Sequence, residues 1–191
     1  IAKDSPSLFK GIVHPVEHVS WHDALRFANL LSIHDGLKPV YSNLDGFIQA
    51  EFSASGWRLP TESEWEYAAR AGSSYRYSGG NDLQQHAWFW DNSGAQTQPV
   101  GQMLANDFGL YDMSGNVFEW CWDGYDPNSY QKGDRVDPKG NLDGHTKVRR
   151  GGSWYRQGVD LGVVRRFHAP STEKNAEQGF RLCRSAHPSN K

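Results

Sequence analysis

The sequence predicts an α+β domain, and three observations carry that expectation. Only two stretches of the 191 residues hold a helical period; several short runs are apolar or alternating, as strands are; and 20 glycines and 9 prolines break up the remainder. In the first helix, Ser20–Ser32, the residues Trp21, Ala24, Leu25, Ala28 and Leu31 fall on one face of a 3.6-residue repeat. Ser20 and Asp23 supply the N-cap and a first-turn carboxylate, and Asp35-Gly36 ends it. The second helix is Glu62–Arg70, with Thr61 and Glu64 as a capping box and Trp65, Ala68 and Ala69 as its buried stripe.

Short strands follow the same logic. Val40-Tyr41 and Phe47–Phe52 read as a small hairpin. Val117–Trp122 alternates like a half-buried strand, with Val117, Glu119 and Cys121 on one side and Phe118, Trp120 and Trp122 on the other. Val148–Ser153 and Gly179–Ser185 are two more, and Gly151-Gly152 marks a bulge or a close backbone approach. Between them lies Trp154–Gln178, a long connection with little periodicity, and connections of that kind are usually functional. There are no repeats or low-complexity tracts, so 1–191 is expected to be one domain of two main helices, short strands and much irregular chain.

Composition narrows the function classes. Hydrophobic residues make up only 37%, with a mean hydropathy of −0.73, so the core must lean on large rings, and eight tryptophans supply them. A net charge of −2 argues against a nucleic-acid partner held by bulk charge. No run approaches the roughly 20 apolar residues of a membrane span, so direct membrane insertion is not expected. The chain opens at Ile1 rather than Met, which suggests an upstream targeting segment. Cys121 and Cys183 sit in apolar runs and read as two buried thiols rather than a bridge. His14, His18, His22 and His34 lack zinc-ligand spacing and read as capping or surface residues. Ser153 lacks the Gly-x-Ser-x-Gly elbow of a nucleophile.

Four motifs stand in one order: Trp57–Arg70 (WRLPTESEWEYAAR), Gly109–Trp120 (GLYDMSGNVFEW), Arg150–Trp154 (RGGSW) and Gly179–Leu182 (GFRL). Together, from about Pro15 to Ser185, they resemble the formylglycine-generating-enzyme (sulfatase-modifying-factor) family. The resemblance implies a C-type-lectin-like fold. It also implies two copper-binding thiolates shortly after Gly-Gly-Ser, where this chain has Arg156 and Leu161. Neither side chain binds a soft metal, so no copper and no oxidase chemistry are expected. The family's calcium loop maps onto Ser114, Gly115 and Val117, through their carbonyls, and onto the Glu119 carboxylate, so calcium is the expected structural ion. A second calcium site has only Asn92 left, because Ala87-Trp88 replace the expected Asn-containing pair.

A narrower resemblance is to the variable proteins of diversity-generating retroelements, which place a diversified segment between Gly-Gly-Ser-Trp and Gly-Phe-Arg-Leu. It implies a non-catalytic binding face on about residues 154–178. The candidate contacts are Tyr155, Arg156, Gly158, Val159, Asp160, Arg166, Phe167, His168, Ala169, Ser171 and Thr172. Trp154, Pro170 and Gly179 would be framework; Leu161, Val163 and Val164 would point inward; Arg165 would make a buried ion pair. Gly158–Thr172 contains no Gln, Glu, Lys, Met or Trp, the five residues that adenine-randomised AAC codons do not reach. The resemblance further implies a bacterial monomer displayed at the cell surface or outside the cell, with an unknown protein or surface ligand as partner. Two other readings stand beside it. An enzyme or accessory subunit with another cofactor would show a concave pocket of convergent polar groups. A scaffold module would show a bland face.

Overall fold

The computed structural model describes residues 5–129, Pro138 and residues 146–185. Ile1, where an upstream segment would join, lies outside the described residues. Helix α1 (Trp21–His34) and helix α2 (Glu62–Arg70) form where their patterns predict, each with a complete capping box, Ser20 with Asp23 and Thr61 with Glu64. A third short helix, α3 (Leu83–His86), was not legible, since four residues are too few to show a period.

The hairpin is β1 (Tyr41–Ser42) against β2 (Gln49–Ala50). Strand β3 (Trp57–Arg58) pairs with β8 (Cys183–Arg184). The main sheet has the order β6-β5-β4-β7, from β4 (Phe118–Gly124), β5 (Thr146–Arg150), β6 (Phe167–Pro170) and β7 (Gln178–Gly179). Its pairs are antiparallel except β4 with β7.

Four expectations are corrected here. Strand β4 is not half-buried: all seven of its residues are buried, because α1 covers one face and α2 the other. Gly179–Ser185 is not one strand but contributes β7 and β8 to two different sheets. The connection after Trp154 is not wholly irregular. It contains a 3-10 turn at Gly158–Leu161 and the whole of β6, which pairs along β5 from Thr146↔Pro170 to Arg149↔Phe167. Strand β5 also starts and stops earlier than expected. Gly151 and Gly152 follow it at φ +91° and +76°, a backbone that residues with a Cβ adopt at a cost.

On the α1 side, Trp120 and Trp122 pack with Trp21, Leu25, Tyr41, Leu59 and Ala169. Two of these buried rings keep a polar outlet. Trp21 Nε1 donates to the Cys121 carbonyl at 2.9 Å, and Trp120 Nε1 to that of Val19 at 3.0 Å. On the α2 side, the alternate residues of β4 meet Trp65, Met113, Val148 and Val163, together with a layer of charge.

Replacing Thr61 by Ala removes the acceptor for the Glu64 N–H and should lower unfolding stability by about 1 kcal/mol. Arg26→Ala breaks only an exposed pair with Asp45 and should change stability by less than about 0.5 kcal/mol. Urea denaturation of both variants checks the contrast.

Candidate ligand-binding face

The segment 155–172 is built from fixed points and free ones. Leu161 is fully buried with Tyr77, Ala87 and Phe89, and its carbonyl accepts from Ser114 Oγ at 3.0 Å. Val163 is buried in the α2-side cluster. Ala169 is 3% exposed in the α1-side core, which takes it off any binding face. Arg166 is also a fixed point. Its Nε and Nη2 grip the two oxygens of Glu62, each at 2.7 Å, and Nη1 and Nη2 reach the Asp126 carbonyl and Ser129 Oγ. Phe167 is half-buried with its ring edge-on to Phe118 at 5.1 Å. A Cβ on Gly158 would come within 2.6 Å of Leu83 Cδ2, so a side chain there must displace Leu83.

Other inward and outward expectations are corrected as well. Val164 is 59% exposed, and Arg165 is exposed, with Nε donating to the Val159 carbonyl instead of forming a buried ion pair. Pro170 is exposed, whereas Trp154 and Gly179 are buried as framework residues should be.

The free points include Tyr155, Val159, His168 and Thr172, with Asp160 and Ser171 half-buried. Tyr155 is half exposed and meets the ring of Trp90 at 4.9 Å and that of Trp154 at 5.1 Å. Trp90 is itself 48% exposed, and its N–H donates to the Arg156 carbonyl. Sequence reasoning missed Trp90. The run Trp88-Phe89-Trp90 is visible, but no spacing ties it to a segment 65 residues away. Phe9 extends the row by packing edge-on to Trp154 at 5.4 Å. On the other side, His168 stacks on Tyr125 at 4.1 Å, and Ser171 Oγ meets His22 Nε2.

One ion pair, Arg156 with Glu177, lies beside this face. Glu177 accepts from Arg156 Nε at 2.9 Å and from Ser153 Oγ at 2.6 Å, which gives Ser153 a structural hydrogen bond. Arg156 also lies over the Phe118 ring. Arg156 is thus an ion-paired arginine and Leu161 a core leucine, at the two positions where thiolates were looked for.

The expected calcium loop is closed by contacts of its own. Gly115 N–H donates to the Gly151 carbonyl, Asn116 N–H to that of Trp88, and Trp154 N–H to that of Asn116. The Asn116 side chain exchanges two hydrogen bonds with the Gln98 backbone. Glu119 accepts from Trp65 Nε1 and from two nitrogens of Arg181. That carboxylate does not fit a calcium ligand, because both its oxygens already face strong donors, one of them a cation. The amide of Asn92 is likewise used, on the backbone of Phe89 and Ala87. Both cysteines are free thiols. Cys121 is buried and Cys183 half-buried, and burial pushes the Cys183 thiol up to about 12.

Residues 4–186 match the model of the sulfatase-modifying factor enzyme 1-like domain. The chain belongs to that family. Treponema denticola variable protein 1 superposes on 95% of this sulfatase-modifying-factor-like chain and on 78% of its own, with a TM-score of 0.85 and 32% identity. The fold is therefore C-type-lectin-like, of the formylglycine-generating-enzyme type. A chaperone protein LppX from Paenibacillus barcinonensis is 41% identical over 155 residues, covering 63% of this chain and 55% of that protein. A formylglycine-generating enzyme from Streptomyces coelicolor is 35% identical over 156 residues, covering 74% and 42%. The chain thus spans about half the length of these two relatives.

Beside the face, Asp123 on β4 is 8% exposed, and its Oδ2 accepts the Glu62 N–H at 2.7 Å. Burial pushes its carboxyl from 3.8 up to about 7; the Glu62 N–H opposes the shift and the Glu62 charge adds to it. Because the folded value lies above the unfolded one, Asp123 contributes most below pH 3.8, and that contribution is lost as pH rises through about 7. Asp123→Asn should therefore gain stability relative to the wild type between pH 4 and pH 8, by about 2–4 kcal/mol. Urea unfolding at several pH values measures this, and a difference that does not change with pH would refute it.

Proposed function

We propose that this domain binds a ligand and transforms nothing, through a face centred on Tyr155, Trp90 and Val159. The observation that carries it is the pair of half-exposed rings, Tyr155 and Trp90, at the start of a segment whose path is set by Leu161, Val163, Arg166 and Ala169. Exposed aromatic side chains supply large contact area at low entropic cost, which is why they dominate binding hot spots. Likeness to Treponema denticola variable protein 1 supports reading the segment as diversified. On this reading Val159, Asp160, His168 and Thr172 vary along with Tyr155, while Arg166 and Ala169 do not. The partner is a protein or a surface ligand, met at a bacterial cell surface as a monomer.

The alternative is an enzyme or accessory subunit of the class, favoured by the formylglycine-generating enzymes among the relatives. It must explain what replaces thiolates at 156 and 161.

Two measurements decide between them. Incubated with copper and a cysteine-containing sulfatase peptide, the purified chain should form no aldehyde, and aldehyde formation would overturn the proposal. In the source genome, a near-identical repeat of the segment's coding sequence should differ only at adenines and lie beside a reverse transcriptase gene. Once a ligand is found on surface-protein or glycan arrays, Tyr155→Ala and Trp90→Ala should each weaken it by roughly tenfold or more without lowering the melting temperature. Unchanged affinity in both would remove this face.

A further inference from the structure

Glu119 is 4% exposed, and its carboxylate meets three donors at 2.6 Å: Trp65 Nε1, Arg181 Nε and Arg181 Nη2. The two arginine nitrogens take one oxygen each, the two-pronged geometry in which guanidinium and carboxylate bind most strongly. Arg181 Nη2 also donates to the Tyr111 carbonyl at 3.0 Å, so the same cation holds the segment leading into the loop. The remaining polar side chains of Ser114–Glu119 are spoken for, Ser114 Oγ by Leu161 and Ser78 and Asn116 by Gln98. Asp112 is the neighbouring acid. Its Oδ2 accepts the Gly101 N–H, and its buried Oδ1 has no partner among the described residues. A divalent ion there would have the Arg181 guanidinium as its neighbour, and that cation already takes both oxygens of Glu119, the one carboxylate of Ser114–Glu119. Among the described residues no three His, Cys, Asp or Glu side chains are placed to hold a metal.

We infer that Arg181 is the built-in counter-cation of the Ser114–Glu119 loop, so that this domain folds without calcium. The inference is independent of what the exposed face binds. Its test is the melting temperature of the purified chain after exhaustive chelation, then with millimolar calcium restored, alongside elemental analysis of dialysed protein. The two melting temperatures should coincide and bound calcium should fall well below one ion per chain. A rise of several degrees on adding calcium, as mass action requires for an ion that binds only the folded state, would overturn the inference. So would one ion per chain surviving dialysis. Arg181→Met should melt well below the wild type, and a wild-type melting temperature in that variant would also count against it. If the variant does not fold, the wild-type chelation comparison decides alone.

Discussion

The structure depends on a buried layer of charge between the main sheet and α2. Because β4 is buried on both faces, every second residue on its α2 side needs a partner inside the protein. Glu119 finds Arg181 and Trp65; Asp123 finds the backbone N–H at the start of α2. Arg150, on the neighbouring strand and fully buried, pairs with Glu62 and Glu66 of α2, and its Nη2 also donates to the Val163 carbonyl. Removing one member of such a pair leaves the other charge buried and costs about 3–5 kcal/mol. The layer therefore demands that several distant parts of the chain arrive at α2 together: β5 through Arg150, the start of β6 through Arg166, and the stretch between β7 and β8 through Arg181.

That demand shapes the surface. The connection from β5 to β6 is not a loop hung from two ends. It is pinned midway by Leu161 and Val163 and again by Arg166, before β6 zips onto β5. Between the pins, short stretches stand free, and the rings of Tyr155 and Trp90 meet over one of them. Side chains at such positions can change without moving the backbone, because the contacts that set its path lie elsewhere.

Much of this was legible in the sequence and some was not, for identifiable reasons. Both capped helices were readable because Ser20/Asp23 and Thr61/Glu64 are local signals. The double burial of β4 was not, since Glu119 and Asp123 look solvent-facing until Arg181, Trp65 and the α2 N-terminus are placed against them. The same failure put Arg166 among the binding residues: an arginine in a variable-looking segment gives no local sign that Glu62 lies 104 residues away in sequence and 2.7 Å away in space. Ala169 was misjudged because strand β6 has no period long enough to announce it. Trp90 was missed because its contact with Tyr155 is purely tertiary.

The perturbed acids and thiols share one physical cause. General acid–base sites commonly combine a shifted pKa with access to substrate. In this chain the carboxyls and thiols shifted upward, Glu17, Asp112, Cys121, Asp123 and Cys183, owe it first to burial, and all but the half-buried Cys183 are buried. Beside the face, Arg156 and Ser153 are engaged with Glu177, and His168 stacks on Tyr125. The face presents to solvent the rings of Tyr155 and Trp90 together with Val159. Such a surface suits a scaffold whose demanding electrostatics are all spent on keeping its own frame rigid.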